Sequence, residues 1–240
     1  MSAGPETVAP TARGAMLYDA SRCDQPDERI FTHGYWLAGG SLQEITGGRG
    51  TVAFIDDGER RWVLRHYRRG GLVARLLGDR YLWTGANRTR AFREWRLLRE
   101  LRSAGLPVPA PVAARYERGG LFYRADLVTT ELPTRRTLAH ALADGPLDAL
   151  TWRAVGACVG RLHAHGVHHA DLNAHNLLLG DDGSVYVLDF DRGRRRPRGA
   201  WEQAVLERLR RSLRKVTAGR PVGRFDDAAW QDLLRGVKDA

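Results

Sequence analysis

HHADLNAHN (168–176), followed directly by LLLGDDGSVYVLDFDRG (177–193), is the stretch on which the reading of this chain turns. Nine residues hold three histidines, two asparagines and one aspartate, with apolar runs on both sides. Polar side chains that close to core-forming segments need partners, since an unsatisfied buried polar group costs on the order of 1–3 kcal/mol. LLL (177–179) and VYVLDF (185–190) read as strands joined by the turn GDDG (180–183), so the chain folds back and can deliver Asp189 beside Asn176. A phosphoryl-transfer site needs one carboxylate to orient an acceptor hydroxyl and take its proton. It also needs a second carboxylate and a side-chain oxygen to hold magnesium against nucleotide phosphates. Asp171 is the candidate for the first role, Asn176 and Asp189 for the second. Taken singly, each could be a turn-capping residue; three in this order around a hairpin fit the transfer site.

These residues also carry a resemblance. His169–Asn176 resembles the catalytic loop of protein-kinase-like enzymes, and Asp189-Phe190-Asp191 resembles their metal-binding Asp-Phe-Gly. More narrowly, HADLNAHNLLL, VYVLDFDRGR and VLRHYRRGGL resemble the 3-deoxy-D-manno-octulosonic acid (Kdo) kinases of lipopolysaccharide assembly, over residues 30 to 216. The resemblance implies an α+β, protein-kinase-like fold of two lobes, with a β-rich N-lobe and a reduced helical C-lobe. It implies ATP and Mg2+ as cofactors, and a structural role for His169 in orienting the loop. His168 and His175 are expected to be polar packing residues, with no zinc spacing around them.

Upstream, TGGRGTVAF (46–54) places Gly47, Gly48, Arg49 and Gly50 before a strand, where backbone amides can approach phosphates without a Cβ in the way. Ala53 stands where the kinase GxGxxG pattern has its third glycine. Kinases put a phosphate-binding lysine on the following strand, paired with a helix glutamate. The only lysines here are Lys215 and Lys238. The resemblance puts Arg65 of WVLR at the matching position, and a guanidinium keeps the charge while offering two donors to phosphate. Glu94 is its expected partner, with Glu100 as runner-up and local pairing of Glu94 to Arg90 or Arg93 as the competing reading. By the same resemblance, backbone groups at Glu131 and Leu132 would bond the adenine. Arg68 and Arg69 are candidates for an anionic acceptor, although either would also be at home as a solvated loop charge.

Around these motifs the chain divides into three expected parts: a poorly ordered leader at 1–29, an N-lobe at 30–132 and a C-lobe at 133–240. TVAFI (51–55) and RWVLRHY (61–67) flank DDGE (56–59) as a hairpin, and RTRAFREWRLLRELRS (88–103) has helical spacing stopped by Gly105 and Pro107. LFYRADLVTTEL (121–132) reads as a strand; helices are expected near 136–143, over 147–165 and near 201–216. Little chain remains beyond 216, Ala170 and Asp191 replace the Arg and Gly of the protein-kinase pattern, and nothing resembles Ala-Pro-Glu. A protein substrate and activation-loop regulation are therefore not expected.

The 240 residues carry a formal net charge of +10 and a pI near 10.4, a balance that favours anionic partners. Between 192 and 220 there are 11 Arg or Lys against 2 acids, and 201–216 places Val205, Leu209, Leu213 and Val216 on one apolar stripe. The stripe should pack inward and leave a basic face for an anionic membrane. No run is apolar and long enough to span a bilayer, no secretory signal opens the chain, and two cysteines make no disulfide framework. The expectation is thus a peripheral enzyme on the cytoplasmic face of the inner membrane. It would phosphorylate a Kdo hydroxyl on a Kdo-lipid A precursor, with no nucleic acid partner. A kinase of another sugar (a lipopolysaccharide heptose or a soluble small molecule) and a non-catalytic kinase-like binding module remain open beside it.

Overall fold

A seven-strand path with one side branch forms the framework of the first half. The structure, a computed structural model, describes residues 4–24, 26–47, 50–68, 78–219 and 223–240, with 44–47 and 50–51 described by backbone alone. The expected roles of Gly48, Arg49 and Arg69, and the charge of Arg220, therefore lie outside the described residues. The chain forms two compact units, one holding the residues up to Ser103 with Pro109–Glu131, the other Ala104–Val108 with Leu132–Ala240.

The strands of the first unit are β1 (Glu6–Thr11), β2 (Gly14–Asp19), β3 (Leu42–Gly47), β4 (Gly50–Asp56), β5 (Arg61–His66), β6 (Tyr81–Leu82), β7 (Pro111–Gly119) and β8 (Phe122–Thr130). They pair antiparallel in the order β1-β2-β7-β8-β5-β4-β3, and β6 joins β8 at the side. A 3-10 turn (Glu28–Phe31) and α1 (His33–Ala38) bring Ile30, Phe31 and Trp36 against Ile55, Trp62, Leu64, Val112 and Val128. Trp36 is fixed by donating its indole N–H to the Ile30 carbonyl at 2.9 Å. α2 (Arg90–Ser103) packs on β7 and β8 and buries Ala91, Phe92, Trp95, Leu98 and Leu101, the residues whose spacing marks it as a helix. Gly105, at φ +72°, follows its end.

The poorly ordered leader is the clearest correction. β1 and β2 pair over six residues, β2 continues the sheet onto β7, and Met16 and Leu17 are buried. The polar composition that suggested disorder belongs to β1, an edge strand with an exposed face, where proline is tolerated. β7 was also unexpected; it opens on a proline, and Val112 is its one β-branched residue, so the signal that announces a strand is weak.

The second unit contains α3 (Leu138–Asp144), α4 (Ala149–Ala164), β9 (Val167–His168), β10 (Leu177–Leu179), β11 (Val185–Val187), β12 (Arg194–Arg195), α5 (Trp201–Thr217) and α6 (Asp227–Lys238). Thr137, Asp148 and Asp226 cap α3, α4 and α6, each accepting from the backbone N–H three residues on. The tail beyond 216 is not a remnant: α6 lies along α4 and buries Trp230 and Leu233. Gly156, Gly160 and Gly236 permit this approach. A Cβ on Gly156 would stand 1.9 Å from the Leu233 carbonyl oxygen, and one on Gly236 would stand 2.0 Å from that of Arg153. Among the described residues no helix is long and apolar enough to cross a membrane.

Candidate active site

In the second unit, apolar and polar residues alternate through the opening stretch. Leu172 and Ala174 are fully buried, while Asp171 and Asn173 are only half buried and His175 is exposed. The buried pair pins the loop, and the residues between them are turned outward. His175 is thus a surface residue, contrary to the packing role expected for it. His168 belongs to β9 and meets Trp201 edge-on at 5.3 Å.

A closed set of hydrogen bonds holds the loop against the strand that carries Asp189. Asn176 Nδ2 donates to the Asp171 carbonyl at 3.0 Å, and Asn173 Nδ2 donates to the same oxygen at 2.8 Å. The Leu188 N–H donates to the Asn176 carbonyl at 2.9 Å, and the Leu188 carbonyl accepts from His169 Nε2 at 2.8 Å. The buried His169 ring lies edge-on to Phe190 at 4.8 Å, and burial holds its pKa below the usual histidine range. A neutral ring whose Nε2–H donates to a carbonyl is a strut, in keeping with the orienting role the resemblance implies.

β10 and β11 form the expected hairpin, paired from Leu177↔Val187 to Leu179↔Val185. The second strand stops at Val187 instead of reaching Phe190, because Leu188 turns its N–H to Asn176 and Asp189 leaves the extended region. Asp189, at φ +64°, is the single non-glycine residue with positive φ among those described. That conformation is costly for a side-chain-bearing residue and persists where the surroundings over-determine it. Here Phe190 is buried to 1% exposure next to it, and its carbonyl accepts from the Gly193 N–H at 2.7 Å.

These residues suit a hard cation. Asn176 has its Nδ2 committed to a carbonyl, which fixes the amide and leaves Oδ1 as its second arm, and Asp189 supplies a carboxylate. No group of three or more His, Cys, Asp or Glu with metal-ligand placement occurs among the described residues. An amide oxygen and a carboxylate are donor types that magnesium takes beside nucleotide phosphates, so Asn176 and Asp189 are the residues that could hold it.

Asp171 has a partner that the sequence did not suggest. Arg208 of α5 places Nη1 3.2 Å from Asp171 Oδ1, and both side chains are 48% exposed. One helical turn on, Ser212 Oγ accepts from the Ala174 N–H at 3.1 Å. The two residues lie 37 apart in sequence from Asp171 to Arg208, so no local signal marked the contact. Of the two cysteines, Cys158 is buried against β11, and burial pushes its thiol up to about 12, which leaves it unreactive.

In the first unit, Arg65 Nη2 is paired with Glu94 Oε2, the partner expected for it. Glu94 is 3% exposed on α2, whereas Glu100 is exposed. Tyr67 is a third member: its hydroxyl donates to Glu94 Oε2 at 2.6 Å, and the Arg65 guanidinium lies 4.9 Å from its ring centroid. The i, i+2 spacing that puts Arg65 and Tyr67 on one strand face was the available clue. Gly47 and Gly50 close the β3–β4 hairpin opposite each other, and Ala53 is fully buried. Arg68 is exposed just past β5. The Glu131 N–H donates to the Arg61 carbonyl at 2.8 Å, so any bond from this residue to a base must come from another of its groups; Leu132 follows, half buried.

A family model described as lipopolysaccharide kinase (Kdo/WaaP) family matches residues 35–236. The chain belongs to this family. It is 42% identical over 224 residues to the 3-deoxy-D-manno-octulosonic acid kinase of Xylella fastidiosa (strain 9a5c), covering 92% of this chain and 87% of that one. The enzyme of the same name from Stenotrophomonas maltophilia (strain R551-3) is 45% identical over 212 residues, covering 87% and 84%. That from Vibrio parahaemolyticus (serotype O3:K6) is 38% identical over 205 residues, covering 85% and 86%. Membership in the Kdo/WaaP family makes the chain a kinase of the protein-kinase-like kind, and the antiparallel sheet and the helices agree with that class.

Proposed function

We propose that this chain transfers the γ-phosphoryl group of ATP to a hydroxyl of Kdo on a Kdo-lipid A precursor, at the cytoplasmic face of the inner membrane. The hydrogen-bonded closure of His169, Asp171, Asn176 and Leu188 carries the reading, because it holds the backbone of the loop while the half-buried Asp171 side chain stays open to solvent. Asp171 accepts the hydroxyl proton as the oxygen attacks; the phosphoryl group leaves ADP for that oxygen. Asn176 and Asp189 would hold Mg2+, which when bound neutralises charge on the phosphates. Arg65, kept in one rotamer by Glu94 and Tyr67, grips phosphate oxygens, with the Gly47–Gly50 backbone supplying further donors. Arg68 and Arg69 remain candidates for anionic groups of the acceptor, and Glu131 with Leu132 for the adenine. Family membership and the relatives' names support the acceptor; the exposed basic residues around α5 support a peripheral membrane location.

Mass spectrometry of purified Kdo-lipid A precursor incubated with the protein and Mg-ATP tests this directly. Gain of one phosphate on the Kdo residue is the expected product. Phosphate found on heptose of a longer acceptor, with Kdo untouched, would replace the Kdo reading with the heptose one.

A further inference from the structure

The Arg208–Asp171 contact is too exposed to be a strut. With half of each side chain in water, such a pair adds about 0–1 kcal/mol to stability. Its position is nevertheless set by buried contacts. α5 is seated by Trp201, Val205, Leu209 and Leu213, and Ser212, on the same face as Arg208, is bonded to the loop at Ala174. The helix therefore holds a guanidinium beside Asp171 through its packing and not through the attraction of the pair. Further positive charge lies close by, since Arg194 is paired across β9–β12 with His168, at the entry to the loop.

Arg208 contacts one carboxylate oxygen of Asp171, so a guanidinium stands directly beside the residue that faces the acceptor hydroxyl. A planar guanidinium with five donors matches a carboxylate in two-pronged fashion. An acidic sugar brings such a carboxylate on the same molecule as the hydroxyl to be phosphorylated. We infer that Arg208, held beside Asp171 by its helix, anchors the carboxylate of the acceptor sugar. This rests on the reading of Asp171 as the base for Kdo phosphorylation and adds the group that recognises the acceptor.

The test compares the full-length wild type, Arg208→Gln and Arg208→Lys on three acceptors. These are the Kdo-lipid A precursor, its Kdo methyl ester, and the precursor stripped of lipid A phosphates. The wild type should prefer the free acid over the ester by about 10–100-fold in kcat/KM, the worth of a charge-assisted hydrogen bond. Arg208→Gln should bring that ratio close to one by losing rate on the free acid alone, and Arg208→Lys should restore part of it. A purely structural Arg208 would slow both acceptors equally and keep the ratio, which would overturn the inference. So would a loss of discrimination seen only against the dephosphorylated precursor, which would assign Arg208 to a lipid phosphate. Absence of transfer to every Kdo acceptor by the wild type would instead sink the functional reading, and the inference with it.

Discussion

Arg65 illustrates how one side chain can carry both stability and binding. Its partner Glu94 is buried at 3% exposure, and removing Arg65 takes away the cation that balances it while the Tyr67 hydroxyl remains, a loss of about 1–3 kcal/mol. Arg65→Ala should therefore lower the urea midpoint and weaken nucleotide binding together. Arg65→Lys should keep most of the stability but lose affinity, because an ammonium cannot form the two-pronged contact. Calorimetric titration with Mg-ATP beside urea unfolding checks both; an unchanged nucleotide affinity in Arg65→Ala would remove the residue from the phosphate site. Asp171 is the opposite case. Among the described residues its side chain bonds only to exposed Arg208, and the loop bonds use its backbone carbonyl. Asp171→Ala should fold normally, keep its melting temperature, and lose turnover by about 10²–10⁴-fold, the range for removing a general base.

At the level of elements, the α4–α6 pair is set by glycines whose absent side chains leave room for the partner backbone. In Gly156→Ala the new Cβ would stand 1.9 Å from a carbonyl, so the helices must separate, and the cost should be about 1–3 kcal/mol by urea unfolding. A second test concerns the strand end at His66. Its Nδ1 lies 2.7 Å from Asp126 Oδ1 and its Nε2 lies 3.0 Å from Asp79 Oδ2, while Arg115 and Arg124 bind the far oxygens of those aspartates. The bond to Asp126 raises the His66 pKa above the ordinary histidine value in spite of burial, and Asp79 adds to it. A folded-state value above the unfolded one means that the stabilisation is fully present below pH about 6.5 and fades as pH climbs through the folded value. Unfolding free energy of the wild type should thus fall over that window, and His66→Gln should flatten the slope; NMR titration of the ring should give a midpoint above about 6.5. A wild-type slope identical to that of His66→Gln would exclude the mechanism.

For the molecule as a whole, charge is the dominant feature. Arg192, Arg194, Arg195, Arg196, Arg211, Arg214 and Lys215 are all exposed. Each cation near an anionic leaflet is worth about 1 kcal/mol, so these residues would favour binding to an anionic membrane surface, as the proposed peripheral location requires. Co-sedimentation should show binding to phosphatidylglycerol vesicles and not to phosphatidylcholine vesicles, with release at high salt. Replacing Arg211, Arg214 and Lys215 by glutamate should abolish it while activity on a detergent-dispersed acceptor persists. Binding indifferent to lipid charge would count against the peripheral reading.

What could be read directly from the amino-acid order were features set by local periodicity and short range. The hairpins β4–β5 and β10–β11 and the helices α2 to α5 follow from spacing within a few residues, where backbone geometry leaves few choices, and the candidate roles of Asp171, Asn176 and Asp189 follow from a short motif joined by one hairpin. Edge strand β1, alanine-rich β7 and glycine-bearing α6 were hidden, because each owes its form to a neighbour: a sheet edge, a strand partner or a helix that requires glycine to approach. The same holds for the site. Tyr67 joins Arg65 and Glu94, Asp189 adopts its left-handed backbone, and Arg208 reaches Asp171 from 37 residues away only once distant segments are packed. Contacts of that kind are made by the buried faces of whole elements, and no window of sequence contains both of their ends.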